Sequence, residues 1–297
     1  MKNLKVFSVL FASLCMGVCV FTACSSDDDD NNDGGIDGGN NSSTTSSYIT
    51  DKDGNAVQLT HIEYADFGYD EHGKLNSFNY YGQDYSFDRN AFVLSDNYGT
   101  TIKFTFNDYG LISKIEHKFI DDYDNSNTSI TYNYNSNHQL IKANISGSYS
   151  SKYSGYSNGT KTGTVTYTWT DGNMTKSVSE ITTIGEEGGS SFTWKETNTN
   201  AYTYGSTFNV CKQFPFSLSN IINNARGGTN LFSMIGLFGV GPVNLPTKRV
   251  YTSVEIENNG EPYTYSENEN ISFILNENGT IKSEVINDYA YDYIYKQ

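Results

Sequence analysis

The nearest approach to a catalytic motif is Gly155-Tyr156-Ser157-Asn158-Gly159. On a strand-turn-helix, this G-x-S-x-G spacing bends the serine out beside an oxyanion hole, where it can attack a carbonyl. Here it sits in a stretch rich in Ser, Gly, Tyr and Lys, 149–164, with no helical pattern behind it, and the expectation is an exposed hairpin end. Glu186 and Glu187 supply two carboxylates, but strand neighbours point to opposite faces and glycosidic cleavage needs carboxyl groups flanking one bond. His61, His72, His117 and His138 are scattered, and none lies at metal-ligand spacing from another His, a Cys or a Glu. Asp29, Asn31, Asp33, Gly34, Ile36 and Asp37 follow a calcium-loop order, but Asn40 stands where the bidentate Glu belongs and no helices flank the loop. Phosphate-binding Gly-rich loops are absent. The residues therefore predict no catalytic group, no metal and no cofactor.

Cys24 carries different chemistry. Lys2 and Lys5 begin a targeting segment, Val6 to Val20 forms its apolar run, and Phe21-Thr22-Ala23 leads into the cysteine. This block resembles a bacterial lipobox with Phe21 in place of the usual Leu. The resemblance implies cleavage before Cys24, diacylation of its thiol and a lipid-anchored product. Cys15 and Cys19 leave with the leader at 1–23, so Cys211 remains as the sole thiol, expected to be a buried small hydrophobe with no disulfide to form. Ser26, Asp27, Asp28, Asp29 and Asp30 resemble the surface-export signal of Bacteroides-group lipoproteins, which implies the outer membrane with the chain facing the exterior. Residues 24–47 are Asp, Asn, Gly, Ser and Thr with little that is apolar, and cannot offset the entropy of ordering; they read as a flexible tether. The net charge of −15 repels nucleic acid, so a nucleic-acid partner is not expected.

The elements behind these residues announce themselves by repetition. The stretch Phe104 to Lys114 recurs as Phe67 to Ser77 and as Tyr132 to Lys142, more loosely as Tyr85 to Ser95 and Phe273 to Ser283, and one residue shorter as Tyr167 to Lys176. Each copy reads as a β-hairpin. The Asp or Asn accepts a hydrogen bond from the backbone two residues on, and the Gly three residues later takes a left-handed conformation. Alternation agrees, since Ile102, Phe104 and Phe106 share one face and Thr101, Lys103 and Thr105 the other. With 24 Tyr and 17 Phe, the chain has the amphipathic residues that half-buried strands use, enough for one β domain over 48–297. The exception is 208–246, where Pro215 and Ser217 open a helical spacing through Leu218, Ile221, Ile222 and Ala225 to Gly227, before an apolar run from Leu231 to Val240. It is expected to act as a lid or plug. The fold class is all-β: an antiparallel meander of roughly fourteen strands that must curl or close.

Tyr167-Thr168-Trp169-Thr170-Asp171-Gly172-Asn173, Tyr202 to Asn209 and Asn244-Leu245-Pro246 resemble blocks of an uncharacterised group of Bacteroides-type secreted lipoproteins, a domain of unknown function described as porin-like. The similarity covers about residues 50–297 and implies a many-stranded barrel-like sheet, with no catalytic residues to carry over. Porin-like need not mean porin. Membrane-spanning strands need about 9–11 residues and an outward apolar band, whereas many strands here read as about five to eight with Thr, Asn and Lys on the wet face. Trp169, Trp194, Phe232 and Phe238 are the candidate ligand-lining residues. The functional expectation is a non-enzymatic, surface-tethered protein that binds an extracellular glycan or protein; the alternatives are a structural component of the outer-membrane surface or a hydrolase assembled from distant strands.

Overall fold

The structure, a computed structural model, describes residues 49–88, 91–152, 157–219, 222 and 228–296. The leader, Cys24, the acidic run from Ser26 to Asp30 and the calcium-like series lie outside them, as do Gly155, Tyr156, Ile221, Ala225 and Gly227. The first half of the sheet comprises β1 (Ile49–Thr50), β2 (Ala56–Ile62), β3 (Ala65–Tyr69), β4 (Leu75–Tyr80), β5 (Gln83–Asp88), β6 (Val93–Ser95), β7 (Thr100–Phe106) and β8 (Ile112–Ile120). Longer strands follow: β9 (Asp124–Tyr134), β10 (Leu140–Ser151), β11 (Ser157–Thr170), β12 (Asn173–Glu187), β13 (Ser190–Phe208), β14 (Asn244–Glu257) and β15 (Tyr263–Leu275). Two shorter ones end the chain, β16 (Ile281–Ile286) and β17 (Tyr289–Lys296).

From β2 onward each strand pairs antiparallel with its neighbour in sequence, and β17 returns to β2 with Tyr293 opposite Ile62 and Lys296 opposite Gln58. Sixteen strands thus close an up-and-down barrel, with β1 added to the start of β2. The expectation of roughly fourteen strands falls short because pieces such as β6, three residues long, are too brief to show alternation.

The repeated turns form as their residues require. Oδ1 of Asn107 accepts the backbone N–H groups of Tyr109 and Leu111, both at 3.0 Å. Asp70 does the same for His72 and Lys74, and Asn135 for Asn137 and Gln139. Gly73 (φ 73°) and Gly110 (φ 74°) take the left-handed position, which His138 fills at φ 58° in the third copy. Replacing Asn107 with Ala removes two acceptor contacts at a half-wet site, and we expect a loss of about 1 kcal/mol in urea denaturation. In a strict meander every second turn lies at the same end. These hairpins and the 209–243 excursion therefore share one end, the floor. The turns at 81–82, 96–99, 188–189 and 258–262 share the other, the mouth. Ile49 and Lys296 pair with Val57 and Gln58 at the start of β2, so both described ends of the chain leave from the floor.

The described residues of the excursion turn back into the lumen and fill it. Phe214, Leu218, Met234 and Phe238 are fully buried, and Phe232 lies against Phe78, Phe104 and Phe67 with ring centroids 4.9, 5.4 and 6.4 Å away. The described helix, α1 (Phe216–Ser219), is only four residues long. Its start is held by the wall: Glu284 of β16 accepts the backbone N–H groups of Phe216 at 2.6 Å and Ser217 at 2.9 Å, and the Tyr293 hydroxyl at 2.6 Å. Tyr202 and Tyr167 donate to the carbonyls of Ser217 and Ile222, and Asn209 ties the neck by donating to the carbonyls of Gln213 and Pro242. The expected plug is therefore an integral part of the core. Cys211 packs with Ile49 and Val57 beside it, and burial pushes its thiol up to about 12.

Around the plug the lumen is dry, and the outer face of most strands is polar. On β7 Ile102 and Phe104 are buried and face the lumen, while Thr101, Lys103 and Thr105 are exposed. On β11 the outward series is Asn158, Thr160, Thr162, Thr164, Thr166 and Thr168. A lipid-embedded barrel shows the reverse pattern, an apolar band outside. Strand length does not make this distinction, because β9 to β15 run 11 to 19 residues, longer than the sequence reading expected. The outer wall's hydroxyls, amides and ammonium groups do.

Candidate functional site

At the mouth, the β4–β5 turn, the β6–β7 turn and the upper part of β8 surround a cavity of about 590 Å³. Its walls carry the rings of Tyr80, Tyr81, Tyr85, Tyr98 and Phe119, interrupted by Gln83, Thr100 and His117. Local chemistry sets these rings. Tyr81 holds a left-handed conformation at φ 51°, stacks on Tyr64 at 4.3 Å and meets Tyr80 edge-on at 4.6 Å. Asp96 accepts the backbone N–H groups of Tyr98 and Thr100 at 2.8 Å and bonds the Gln83 amide through its other oxygen, which fixes the loop that carries Tyr98. Burial, and then the Asp96 charge, push the Tyr85 hydroxyl up to about 12, so it is neutral and able to donate. Gly228 of the plug lies on the Tyr80 ring, where a Cβ would come within 2.8 Å. Mixed aromatic and hydrogen-bonding linings of this volume are what small-molecule sites use.

The second feature is the tall wall made by β12 to β15. Tyr202, Arg249 and Glu269 form a row in contact with the plug through the Tyr202 hydroxyl. Toward the mouth, the lumen-facing residues of β13 are Asn200, Asn198, Glu196 and Trp194, and those of β14 are Tyr251, Ser253, Glu255 and Glu257. Arg249 pairs with Glu269. Tyr251 donates to Asn198 Oδ1 at 2.8 Å, and Asn198 Nδ2 donates to Glu196 Oε1 at 2.5 Å. Glu255 stands directly across from Glu196, and its carboxyl is raised by burial and then by the Glu196 charge. A smaller hollow of about 310 Å³, around Thr162, Thr182 and Lys195, opens mostly on the outer face of β11 to β13.

The four sequence candidates are dispersed. Phe232 and Phe238 are buried between plug and wall, 1% and 0% exposed, and serve packing. Trp169 packs edge-on against Phe214 and donates to the Leu140 carbonyl at 2.8 Å near the floor. Trp194 alone of the four lies on the lumenal wall toward the mouth, half-buried. Ser157 opens β11, so strand and not helix follows it. His117 lines the aromatic cavity, His61 pairs with Asp66 at 2.6 Å, and His72 and His138 are in turns. Among the described residues no three His, Cys, Asp or Glu side chains group as metal ligands do. Sequence reading missed Tyr81 and Tyr98. Their signal was available: each stands in a turn, where strand alternation gives an aromatic ring nothing to pack against.

No protein-family model matches the chain, and no curated protein does. Among solved structures, it is similar to a porin-like protein from Bacteroides vulgatus ATCC 8482, with TM-score 0.46 and 12% identity over 84% of this chain and 98% of that one. It is also similar to a porin-like protein from Bacteroides uniformis ATCC 8492, with TM-score 0.45 and 13% identity over 81% and 94%.

Proposed function

We propose that this protein is a lipid-anchored, outward-facing binding protein that takes a glycan into the aromatic cavity at the mouth of its barrel. The observation that carries this reading is the cavity itself, several aromatic rings around a volume suited to one or two sugar rings, with Gln83, Thr100 and His117 placed to meet hydroxyl groups. Its position supports the reading. The described chain enters at the floor, so a tether attached there would hold the floor toward the membrane and present the mouth to the medium.

A glycan array probed with the full chain tests the proposal. Tyr81→Ala and Tyr98→Ala should each weaken any glycan captured by about tenfold, since a well-placed aromatic ring contributes about 0.5–1.5 kcal/mol beyond simple burial. An array with no hits, or hits indifferent to both substitutions, would leave the cavity without this role. The anchor has its own test. Cys24→Ala should move the protein from the membrane fraction to the soluble one, and replacing Asp27 to Asp30 with Ala should shield it from protease added to intact cells.

A further inference from the structure

We infer that the mouth half of β15 is a docking edge for an extended peptide segment of a partner protein, one that carries basic side chains on alternate residues. On one side β15 pairs with β14 through this whole stretch, from Tyr263 opposite Glu255 to Asn270 opposite Lys248. On its other side β16 pairs only with Ile271 to Leu275, and the chain then turns back at Asn287. Residues 263–269 therefore stand above the β16–β17 turn as a sheet edge, about 23 Å long at about 3.3 Å per residue, with no strand against it among the described residues.

The residue at which the open edge begins fixes the direction of the main-chain groups. The Asn270 carbonyl accepts the Asn287 N–H at 2.8 Å, and the Asn270 N–H donates to Asn287 Oδ1 at 3.0 Å, so both groups point away from β14. In an antiparallel ladder these directions repeat at every second residue. Thr264, Ser266 and Asn268, all exposed, accordingly aim their N–H and C=O groups at the open side, in pairs about 7 Å apart. That spacing is the repeat of a second extended backbone, and strand addition to an open edge uses it.

Long edges are ordinarily blunted by Pro, Lys or a bulge, because they otherwise recruit other chains. Residues 263–269 contain neither Pro nor Lys, and the register with β14 runs through them without a shift. The surroundings of the edge decide which peptide suits it. Glu267 on the lumen face and Asp288 in the turn below are exposed, while Arg249 on the lumen face of β14 is already engaged by Glu269. Tyr263 and Tyr265, 65% and 45% exposed on the same face as Glu267, offer rings along which the stem of a Lys or Arg can lie. Cross-strand neighbours of opposite charge attract and like charges repel, so an added strand with Lys or Arg on this face is favoured over an acidic one.

Selection of the full chain against a displayed library of random linear heptapeptides, followed by calorimetric titration with the enriched sequences as synthetic peptides, tests the inference. Enrichment of Lys or Arg at alternate positions is expected. Ser266→Pro removes one edge N–H and sets a ring in the slot, but takes no main-chain bond from β14, and Pro is tolerated on edges of this kind. Binding should fall at least about tenfold in Ser266→Pro and stay unchanged in Ser266→Ala, which removes only the hydroxyl that donates to the Tyr251 carbonyl. N-methylation of one alternate set of peptide residues should weaken binding to the unaltered protein by a similar factor, and of the other set should not, a readout that needs no variant to fold. The inference is overturned if no sequence is enriched, if the enriched peptides bind Ser266→Pro undiminished, or if both methylated sets behave alike. A dimer in sedimentation that Ser266→Pro dissociates would also overturn it, by giving the edge to a second copy. Failure of the glycan reading leaves this test intact, because the edge shares no residue with the aromatic cavity.

Discussion

Phe232→Ala should destabilise the barrel by about 3–5 kcal/mol, the range for truncating a large aromatic side chain in a close-packed core. Phe232 comes from the excursion and not from a strand, yet it is 1% exposed and its ring meets Phe67, Phe78 and Phe104, contributed by β3, β4 and β7. Those three rings belong to a closed wall whose strands are already paired, and they cannot collapse far into the space left behind. Much of the cavity term should therefore remain. Urea denaturation of the two proteins measures it, with the midpoint falling and the slope unchanged. A loss below about 1 kcal/mol would mean that the excursion rests in the barrel as a detachable stopper. In that case the lumen, and not the mouth alone, would be open to ligands.

Glu284→Ala should cost a similar amount, about 3–5 kcal/mol, by a different route. The carboxylate is fully buried and accepts the N–H groups of Phe216 and Ser217 together with the Tyr293 hydroxyl. Truncation strands the Ser217 N–H and the Tyr293 hydroxyl proton away from water, at about 1–3 kcal/mol for each group left unmet, while the Phe216 N–H keeps the Tyr293 hydroxyl oxygen at 2.9 Å as an acceptor. The effect also depends on pH. Burial raises the folded-state value of Glu284 above its ordinary 4.5, against an opposing pull from its hydrogen bonds to Ser217, Tyr293 and Phe216. Below 4.5 the group is protonated in both the folded and unfolded states, and its contribution is fully present. As pH rises through the raised value, the folded protein keeps a proton that the unfolded chain has released, and stability falls. Glu284→Gln cannot titrate. The stability difference, wild type minus Glu284→Gln, should accordingly shrink between about pH 4 and pH 7. A difference that grows over that interval would show the carboxylate to be ionised in place, with its three donors outweighing burial.

Some of the molecule was legible because its causes are local. The hairpin at Asn107 is decided within five residues: a side-chain oxygen that reaches two backbone N–H groups, and Gly110 free to turn left-handed. The same holds for Asp70 with Gly73 and for the close pair Asp171-Gly172 between β11 and β12, at φ 50° and 76°. Alternation along Thr101 to Phe106 told which face was wet, and that face is what distinguishes the wall from a lipid-embedded one. The strand lengths were underestimated because Ser, Thr and Asn follow one another through β12 and β13, and where both faces are polar the period of two has little contrast. Glu284 left a trace that went unread. It occupies a lumen-facing position two residues before Ile286, where the pattern calls for an apolar side chain, and a carboxylate there needs donors brought from elsewhere.

What the sequence determined by itself is the class of fold and the separation of dry from wet faces, because turn chemistry and side-chain alternation act between residues a few positions apart. Only the tertiary structure decided that β17 closes on β2, that residues 209–219 and 228–243 fill the lumen, and that Tyr81, Tyr98 and Phe119 meet around one cavity while Glu196 and Glu255 stand side by side on adjacent strands. Those pairings join segments far apart in the chain. Their register is set by which lumenal side chains can be buried together, a property of the closed wall and not of any single stretch within it.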